Sequence, residues 1–262
     1  MSTLQPFKVY AIRYATVARH ASENFIGGDP HESGMHMDYF VWVAISAGKT
    51  WVIDTGFNAA AAAKRKRTFL RCPTAGLTLL GVDAAQVDDV IVTHLHYDHI
   101  GNFDKFPRAR FHLQDAELAY ATGRYMAKPF FSGAYEVDEV VAMVRNVYAG
   151  RVQFHQGDVQ LAPNISLHLI GGHTKGLQAV RLWTESGWLV LASDASHYLA
   201  NMTEGRPFPI VADVCAMADG WDKLRSLVDD PSRIIPGHDP AVMHQFKSPL
   251  PALAGIAVRL DA

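Results

Sequence analysis

Cysteine is scarce in this chain, which has only Cys72 and Cys215 among 262 residues. Because the two are far apart and neither lies in a Cys-x-x-Cys spacing, they argue against a disulfide framework and a zinc ribbon. We expect both to be buried small hydrophobic residues. No apolar run reaches the roughly 20 residues that a membrane-spanning helix needs. An excess of one charge is also missing, since the net charge of −2 gives no general attraction to nucleic acid or to an anionic membrane.

The N-terminal residues lack a charged segment followed by an apolar core, so we expect no secretory signal peptide and predict a cytoplasmic protein. Hydrophobic residues make up 49% of the chain and charged residues 19%, which is typical of a globular enzyme. We interpret the whole chain, residues 1–262, as one domain. The basic run Lys64-Arg65-Lys66-Arg67 follows an alanine stretch, and we interpret it as a solvated helix face rather than an anion site.

The most informative stretch is His94-Leu95-His96-Tyr97-Asp98-His99, which places four potential metal ligands directly after the apolar run 90–93. Such a run predicts a buried strand, and α/β folds place their sites on loops at the carboxyl ends of strands. His94 and His96 are two residues apart, so they point to the same side of an extended backbone and can bind one ion. Asp98 and His99 can face a second ion. Imidazole and carboxylate without thiolate are typical of zinc, iron, manganese or cobalt in hydrolytic sites.

Three further candidate ligands follow later predicted strands. His173 comes after residues 165–170, Asp194 after the apolar run 188–192, and His238 after 234–237. Because strand ends on one edge of a sheet lie close in space, we expect all seven ligands to converge. Buried imidazoles and carboxylates would lose several kcal/mol of hydration without a cation, so a purely structural role for this set is disfavoured.

The pattern along the chain alternates between strands and helices in two halves. It predicts strands at 7–14, 39–45, 50–53 and 110–113, helices at 59–70, 115–121 and 137–148, a second strand-rich block at 152–191, and a helix at 217–228. Two halves of similar pattern favour an α/β protein in which two sheets pack face to face with helices outside.

The ordered set His-x-His-x-Asp-His, Gly-His-Thr, Ser-Asp and Gly-His resembles the metallo-β-lactamase superfamily over about residues 7–240, and Asp54-Thr55-Gly56 matches its early Asp-x-Gly turn. The resemblance implies a four-layer αβ/βα sandwich and a cofactor of two divalent metal ions, with Zn²⁺ as the expected element. The ligand set that it implies is His94, His96 and His173 for the first ion, Asp98, His99 and His238 for the second, and Asp194 as the bridge. Asp54 is expected to orient the metal loop without binding metal.

The segment 193–198 resembles the Asp-Ala-Ser-Tyr segment of the N-acyl-homoserine lactonases, the quorum-quenching enzymes, and the metal motif is also similar to theirs. The resemblance implies a hydrolase that opens a lactone ring by attack of a metal-bridging hydroxide, with Asp98 delivering a proton to the leaving alkoxide. In those lactonases a Tyr three residues after the bridging Asp contacts the lactone carbonyl. Here His197 occupies that position and Tyr198 follows, so either side chain can be the donor.

Other interpretations of the same ligand set stay open, because fold does not fix function. The site can serve a metallo-hydrolase of another ester, of a thioester as in glyoxalase II, or of a phosphoester. We expect no large extra C-terminal domain, which disfavours glyoxalase II. A sensor that only holds metal is a third class. The expected partner is a small lactone or ester, without nucleic acid or membrane, and the resemblance is compatible with a homodimer. Apolar loop residues such as Met37 and Phe208 suit an acyl or aromatic group.

Overall fold

The computed structural model describes residues 4–261. Its strands are β1 (Lys8–Val17), β2 (Met37–Ser46), β3 (Lys49–Ile53), β4 (Thr68–Phe69), β5 (Asp89–Ile91), β6 (Arg110–Gln114), β7 (Val152–His155), β8 (Val159–Ala162), β9 (Ile165–Leu169), β10 (Gln178–Thr184), β11 (Gly187–Ser193), β12 (Ile234–Pro236) and β13 (Ala257–Arg259). Its α-helices are α1 (Ala59–Lys64), α2 (Pro73–Leu79), α3 (Tyr97–Ile100), α4 (Asp115–Ala121), α5 (Pro129–Ser132), α6 (Val137–Tyr148), α7 (Leu199–Thr203), α8 (Val214–Ser226) and α9 (Val242–Gln245). None of the helices within residues 4–261 combines the length and the apolar character needed to cross a lipid bilayer.

The strands form two mixed sheets. The first has the order β13-β1-β2-β3-β5-β6-β7, with β4 paired to β1, and the second has the order β12-β11-β10-β9-β8. Strands β3, β5, β6 and β7 run parallel. In the second sheet β11 is parallel to β12, and both β9 and β11 are antiparallel to β10, so β9, β11 and β12 share one direction. The predicted ligands therefore leave the carboxyl ends of β5, β9, β11 and β12.

Apolar side chains fill three layers between and outside the sheets. Trp42 of the first sheet and Leu182 of the second are fully buried in the layer between them. On the outer face of the first sheet, Leu77 and Met143 belong to another buried cluster, and Trp221 belongs to the cluster on the outer face of the second sheet. Burying such a side chain contributes about 1.5–3 kcal/mol. The layer order is helices, sheet, sheet, helices, which confirms the αβ/βα sandwich.

The basic run after α1 differs from the prediction of a helix over 59–70. Helix α1 ends at Lys64, Lys66 has a φ of 56°, and the chain then enters β4. Arg65 donates to the carbonyls of Gly133 and Tyr135, and Arg67 donates to the hydroxyl of Tyr97. Because these long-range contacts half-bury both guanidinium groups, the interpretation of this run as a solvated helix face is wrong for Arg65 and Arg67.

The two cysteines are also less buried than expected. Cys72 is half-buried at the residue before α2, and Cys215 is exposed in the first turn of α8. The buried face of α8 is formed by Met217, Gly220, Trp221 and Leu224. Cys215 is two positions before Met217, which places it on the opposite side of the helix. The prediction that both are buried hydrophobic residues is therefore wrong.

Asp89 is a buried carboxylate at the amino end of β5, on the side of the sheet remote from the predicted ligands. Its Oδ1 accepts hydrogen bonds from His112 Nε2 at 2.9 Å and from Arg110 Nη2 at 3.2 Å. The ammonium group of Lys49 donates to Oδ2. Burial alone would raise the pKa of Asp89, but the hydrogen bonds and charges of His112 and Lys49 outweigh it and hold that pKa well below its ordinary value.

We expect Asp89→Asn to lower the free energy of unfolding by about 2 kcal/mol at pH 7. A carboxylate whose pKa is lower in the folded state stabilises the fold above its unfolded pKa of about 3.9, and this contribution is lost as the pH falls below that value. Denaturant unfolding of both proteins at pH 7 and pH 3 will measure the difference, which should shrink at pH 3. The matched control is Asp88→Asn, because Asp88 is exposed and pairs with an exposed arginine. A difference that stays constant with pH would contradict this assignment.

Candidate metal centre

Two groups of buried side chains converge at the carboxyl ends of these strands. One consists of His94, His96, His173 and Asp194, and the other of Asp98, His99, Asp194 and His238. Within each group the potential ligand atoms all lie within 4.8 Å of one another. The structure thus brings together all seven residues that the sequence indicated, and Asp194 belongs to both groups.

The carboxylate of Asp194 joins the two groups through its two oxygens. Oδ2 lies 3.3 Å from Nε2 of His173 and 3.8 Å from Nε2 of His94. Oδ1 lies 3.0 Å from Nε2 of His238 and 3.4 Å from Nε2 of His99. Each oxygen therefore faces a different group, which is the arrangement that a bridging carboxylate requires. Oδ2 of Asp98 completes the second group, 3.7 Å from Nε2 of His238.

Several of these ligand atoms are buried without a hydrogen-bond partner among residues 4–261. They are Nε2 of His94, His99 and His238, and Oδ1 of Asp194, whose approach of 3.0 Å to His238 Nε2 lacks the alignment of a hydrogen bond. A buried polar atom left unpaired costs about 1–3 kcal/mol, so four in one place need a compensating ligand. Imidazole nitrogens and carboxylate oxygens aimed at a common point are the donors that divalent ions such as Zn²⁺ accept. The donor set fits divalent metal ions.

Burial and charge shift the histidine pKa values in opposite directions. Burial lowers the pKa of His94 and of His96 well below the ordinary value, and it lowers that of His173 to about 3. Burial acts the same way on His99 and His238, but the negative charge of Asp194 and the other nearby carboxylates outweighs it and raises both pKa values. The first group therefore holds neutral imidazoles, the form that binds metal.

Asp54 lies outside both ligand groups and fixes the metal-binding loop through hydrogen bonds. Its Oδ2 accepts from His99 Nδ1 at 2.7 Å and from Thr93 Oγ1 at 2.8 Å, and its Oδ1 accepts from Thr93 N at 2.7 Å. The φ of Asp54 is 62°, in a region that few residues other than glycine adopt. These contacts agree with the expected positioning role, because a hydrogen bond to Nδ1 fixes the direction in which Nε2 points. Backbone carbonyls hold the Nδ1 atoms of His173 and His238 in the same way.

Glu117 in α4 is a buried carboxylate that sequence reasoning missed. Its Oε1 accepts from Leu95 N at 2.9 Å, and its Oε2 accepts from Thr174 Oγ1 at 2.5 Å and from Gly176 N at 3.1 Å. A side chain at Gly176 would place its Cβ 2.2 Å from the backbone nitrogen of Glu117. Glu117 therefore ties the loop of His94 and His96 to the loop of His173. The sequence did contain a signal for a buried role of Glu117. It lies three positions before Tyr120, which places this acidic residue on the apolar face of a short helix.

A cavity of about 240 Å³ opens onto the ligand groups. Among the residues that line it are Asp98, Asp194 and His197. Nε2 of His197 lies 3.1 Å from Oδ2 of Asp194, and its ring stacks on Phe208 with 3.6 Å between ring centroids. Burial lowers the pKa of His197 to about 4, so the ring is neutral at pH 7.

Tyr198, the other predicted donor, is turned away from this cavity. It is fully buried, and its hydroxyl donates to the carbonyl of His36 at 3.0 Å. The backbone at Tyr198 is extended, so its side chain points to the side opposite that of His197. Of the two candidates, the structure brings His197 to the ligand groups and leaves Tyr198 in the core.

The sequence of this chain is similar to those of a known superfamily and of named relatives. A model of the metallo-beta-lactamase superfamily matches residues 34–238. The chain belongs to the metallo-β-lactamase superfamily. This superfamily member is 30% identical over 178 residues to the N-acyl homoserine lactonase AttM of Azorhizobium caulinodans, with 64% of each chain covered. It is 34% identical over 132 residues to the N-acyl homoserine lactonase AiiB of Agrobacterium fabrum, with 48% of this chain and 46% of the relative covered. The chain thus spans less than two thirds of the length of these relatives.

Solved structures share the fold of this metallo-β-lactamase superfamily member. A quorum-quenching N-acyl homoserine lactone lactonase superposes with a TM-score of 0.78 at 20% identity, covering 93% of this chain and 97% of the other. An N-acyl homoserine lactone hydrolase with N-hexanoyl-L-homoserine at its metal centre superposes with a TM-score of 0.77 at 19% identity, covering 93% and 98%. At these identities the likeness establishes the fold, which agrees with the four layers described above.

Proposed function

We propose that this chain is a dinuclear metal-dependent hydrolase that opens the ring of a lactone, with N-acyl homoserine lactone-like molecules as the first candidates. The observation that carries this proposal is the pair of four-residue ligand groups that share Asp194. Lactone as the substrate class is supported by the names of the relatives AttM and AiiB and by the segment that follows Asp194.

The two groups would each hold one divalent ion, and Zn²⁺ is the expected element because imidazole nitrogen and carboxylate oxygen are among its preferred ligands. His94, His96 and His173 belong to the first ion, Asp98, His99 and His238 to the second, and Asp194 to both. Bound ions of this kind supply a hydroxide nucleophile near neutral pH and positive charge for a carbonyl oxygen.

The side chains around the cavity have separate tasks in this proposal. The Nε2 of neutral His197 lies 3.1 Å from Oδ2 of Asp194. With that oxygen engaged by a bound ion, the Nε2–H group would be free to donate toward the substrate carbonyl, where negative charge develops during attack. Asp98 would accept the proton of the attacking hydroxide and pass it to the leaving alkoxide, because its carboxylate lines the cavity beside the second group. Met37 and Phe208 also line the cavity and offer apolar surface to the rest of the substrate.

Removal of metal tests this proposal directly. Elemental analysis of the purified protein should find close to two divalent ions per chain, and a panel of lactones should be opened with release of acid. Prolonged treatment with a chelator should abolish turnover, and added Zn²⁺ should restore it. Turnover that is indifferent to the chelator would contradict the proposal. If the protein hydrolysed thioesters or phosphoesters much faster than every lactone, it would belong to another class of metal-dependent hydrolase.

A further inference from the structure

Three arginines, Arg19, Arg65 and Arg67, line the cavity beside the metal-ligand groups. Arg65 is ion-paired, because its Nη2 lies 2.8 Å from Oε1 of Glu136, a carboxylate that it shares with Lys64. Arg19 and Arg67 have no carboxylate within ion-pair distance among residues 4–261. The cavity therefore contains two permanent positive charges that form no ion pair with the described part of the protein, although the charge of Asp98, a candidate metal ligand, acts on Arg67.

Both guanidinium groups are held in place by neutral partners. Nε of Arg19 donates to the side-chain oxygen of Asn24 at 2.7 Å, and its Nη2 donates to the carbonyl of Glu23 at 2.7 Å. Nε of Arg67 donates to the Tyr97 hydroxyl at 3.2 Å, and its Nη1 donates to the carbonyl of Arg65 at 2.9 Å. One terminal nitrogen of each arginine, Nη1 of Arg19 and Nη2 of Arg67, has no hydrogen-bond partner in the described range. These two nitrogens are fixed donors that stay free for a ligand.

The metal site does not need these charges. Two divalent ions would bring four positive charges, which the three carboxylates of Asp54, Asp98 and Asp194 and one bound hydroxide already balance. Two further guanidinium groups therefore leave the cavity with an excess of positive charge. Guanidinium groups withdrawn partly from water without a counter-charge cost free energy, which a bound anion recovers. Arginine is also the side chain best suited to carboxylate and phosphate groups, because its planar fork matches their oxygens.

We propose that Arg19 and Arg67 bind an oxyanion carried by the substrate, so that the preferred substrate is a compact anionic lactone or ester. This inference rests on the proposed function and specifies its substrate class. The cavity volume of about 240 Å³ suits a small molecule whose anionic group lies a few bonds from the ester carbonyl. Arg19 also lies 5.3 Å from the ring of Phe208, which stacks on His197. The anion site is thus next to the proposed carbonyl donor.

Two lactones of the same size that differ only in charge can show whether the site recognises the negative charge of a substrate. N-succinyl-homoserine lactone carries a carboxylate where N-succinamoyl-homoserine lactone carries a neutral amide of the same size. The metal-loaded protein should show a kcat/KM at least about 10-fold higher for the carboxylate than for the amide, since hydrogen bonds to charged groups are the stronger ones. A third lactone with a phosphonate in place of the carboxylate shows which oxyanion the two arginines prefer.

Variants of the two arginines test the site itself. Arg19→Gln and Arg67→Gln should each lower the carboxylate-to-amide ratio by about 10-fold, with the amide substrate little affected. Arg67→Lys keeps the charge and should retain much of the preference, which guards against a loss caused by misfolding. The control is Lys66→Gln, because Lys66 is exposed and does not line the cavity. It removes one charge from the same segment and should leave the ratio unchanged.

The possible outcomes distinguish the two proposals. Chelator-sensitive turnover with equal kcat/KM for the carboxylate and the amide would overturn the anion site and leave the lactonase proposal intact. If no lactone of the panel is opened, these two included, the lactonase proposal fails, and calorimetric binding of both compounds to the metal-loaded protein decides the anion site. Tighter binding of the carboxylate that Arg67→Gln abolishes would support the site, and equal binding of the two compounds would overturn it.

Discussion

Replacement of Asp194 by asparagine will lower the proposed lactone hydrolysis by at least about 1,000-fold, the largest effect expected of a single change in this protein. Each oxygen of Asp194 faces one ligand group, Oδ2 toward His173 and Oδ1 toward His238. An asparagine offers one oxygen and one NH₂ group, so one of the two groups must receive a donor where it needs an acceptor. The variant also loses the negative charge that both groups share.

Metal content and rate should change together in this variant. We expect elemental analysis to find one divalent ion per chain or fewer, and the rate of acid release from the best lactone of the panel to fall in parallel. Asp104→Asn is the matched control, because the Asp104 side chain is 72% exposed and lies outside both groups. A variant that keeps two ions per chain and full activity would refute the bridging role of Asp194.

Replacement of Glu117 by alanine should lower the free energy of unfolding by about 3 kcal/mol. The change leaves four buried donors without this acceptor, namely Leu95 N, Thr174 Oγ1, Gly176 N and the Tyr135 hydroxyl. Because the same carboxylate joins the loops of the first ligand group, the affinity for metal should also fall, by about 10- to 100-fold. Denaturant unfolding of the metal-free proteins measures the first effect, and competition with a chelator measures the second.

Glu139→Gln is the control for this experiment. Glu139 is also partly buried, but its Oε2 has no hydrogen-bond partner in the described range, and burial raises its pKa to about 8. Since this carboxyl is mostly protonated at pH 7, an amide should cost little or nothing there. An equal loss of stability in the two variants would show that the contacts of Glu117 are not the cause of its effect.

The metal ligands could be predicted from the sequence because each follows a strand that is itself visible as an apolar run. Helices α4 and α6 could be predicted with their observed bounds for the same reason, since their pattern is local. The end of a helix cannot be predicted in this way when contacts with distant residues determine it. The partners that draw Arg65 and Arg67 out of the predicted helix lie about 30 to 70 positions away in the sequence and have no local signal.

The same limit explains the missed and unresolved parts of the site. Glu117 looks like an ordinary helix residue until the fold brings Leu95 and Gly176 to it. The choice between His197 and Tyr198 depended on the direction of two consecutive side chains after a strand. The hydrogen bond from Tyr198 to the carbonyl of His36 fixes that direction, and it joins positions 162 residues apart.

Each of the two ligand groups draws on both halves of the sandwich, because His94 and His99 follow β5 of the first sheet while His173 and His238 follow β9 and β12 of the second. A cation bound there would add a cross-link between the two layers, beside the hydrogen bonds that join them at that edge, such as the one from Gln178 N to the carbonyl of Thr93 at 3.0 Å. The free energy of its binding then opposes the parting of the sheets. Heat tolerance in this protein should accordingly track the supply of metal as closely as its catalysis does.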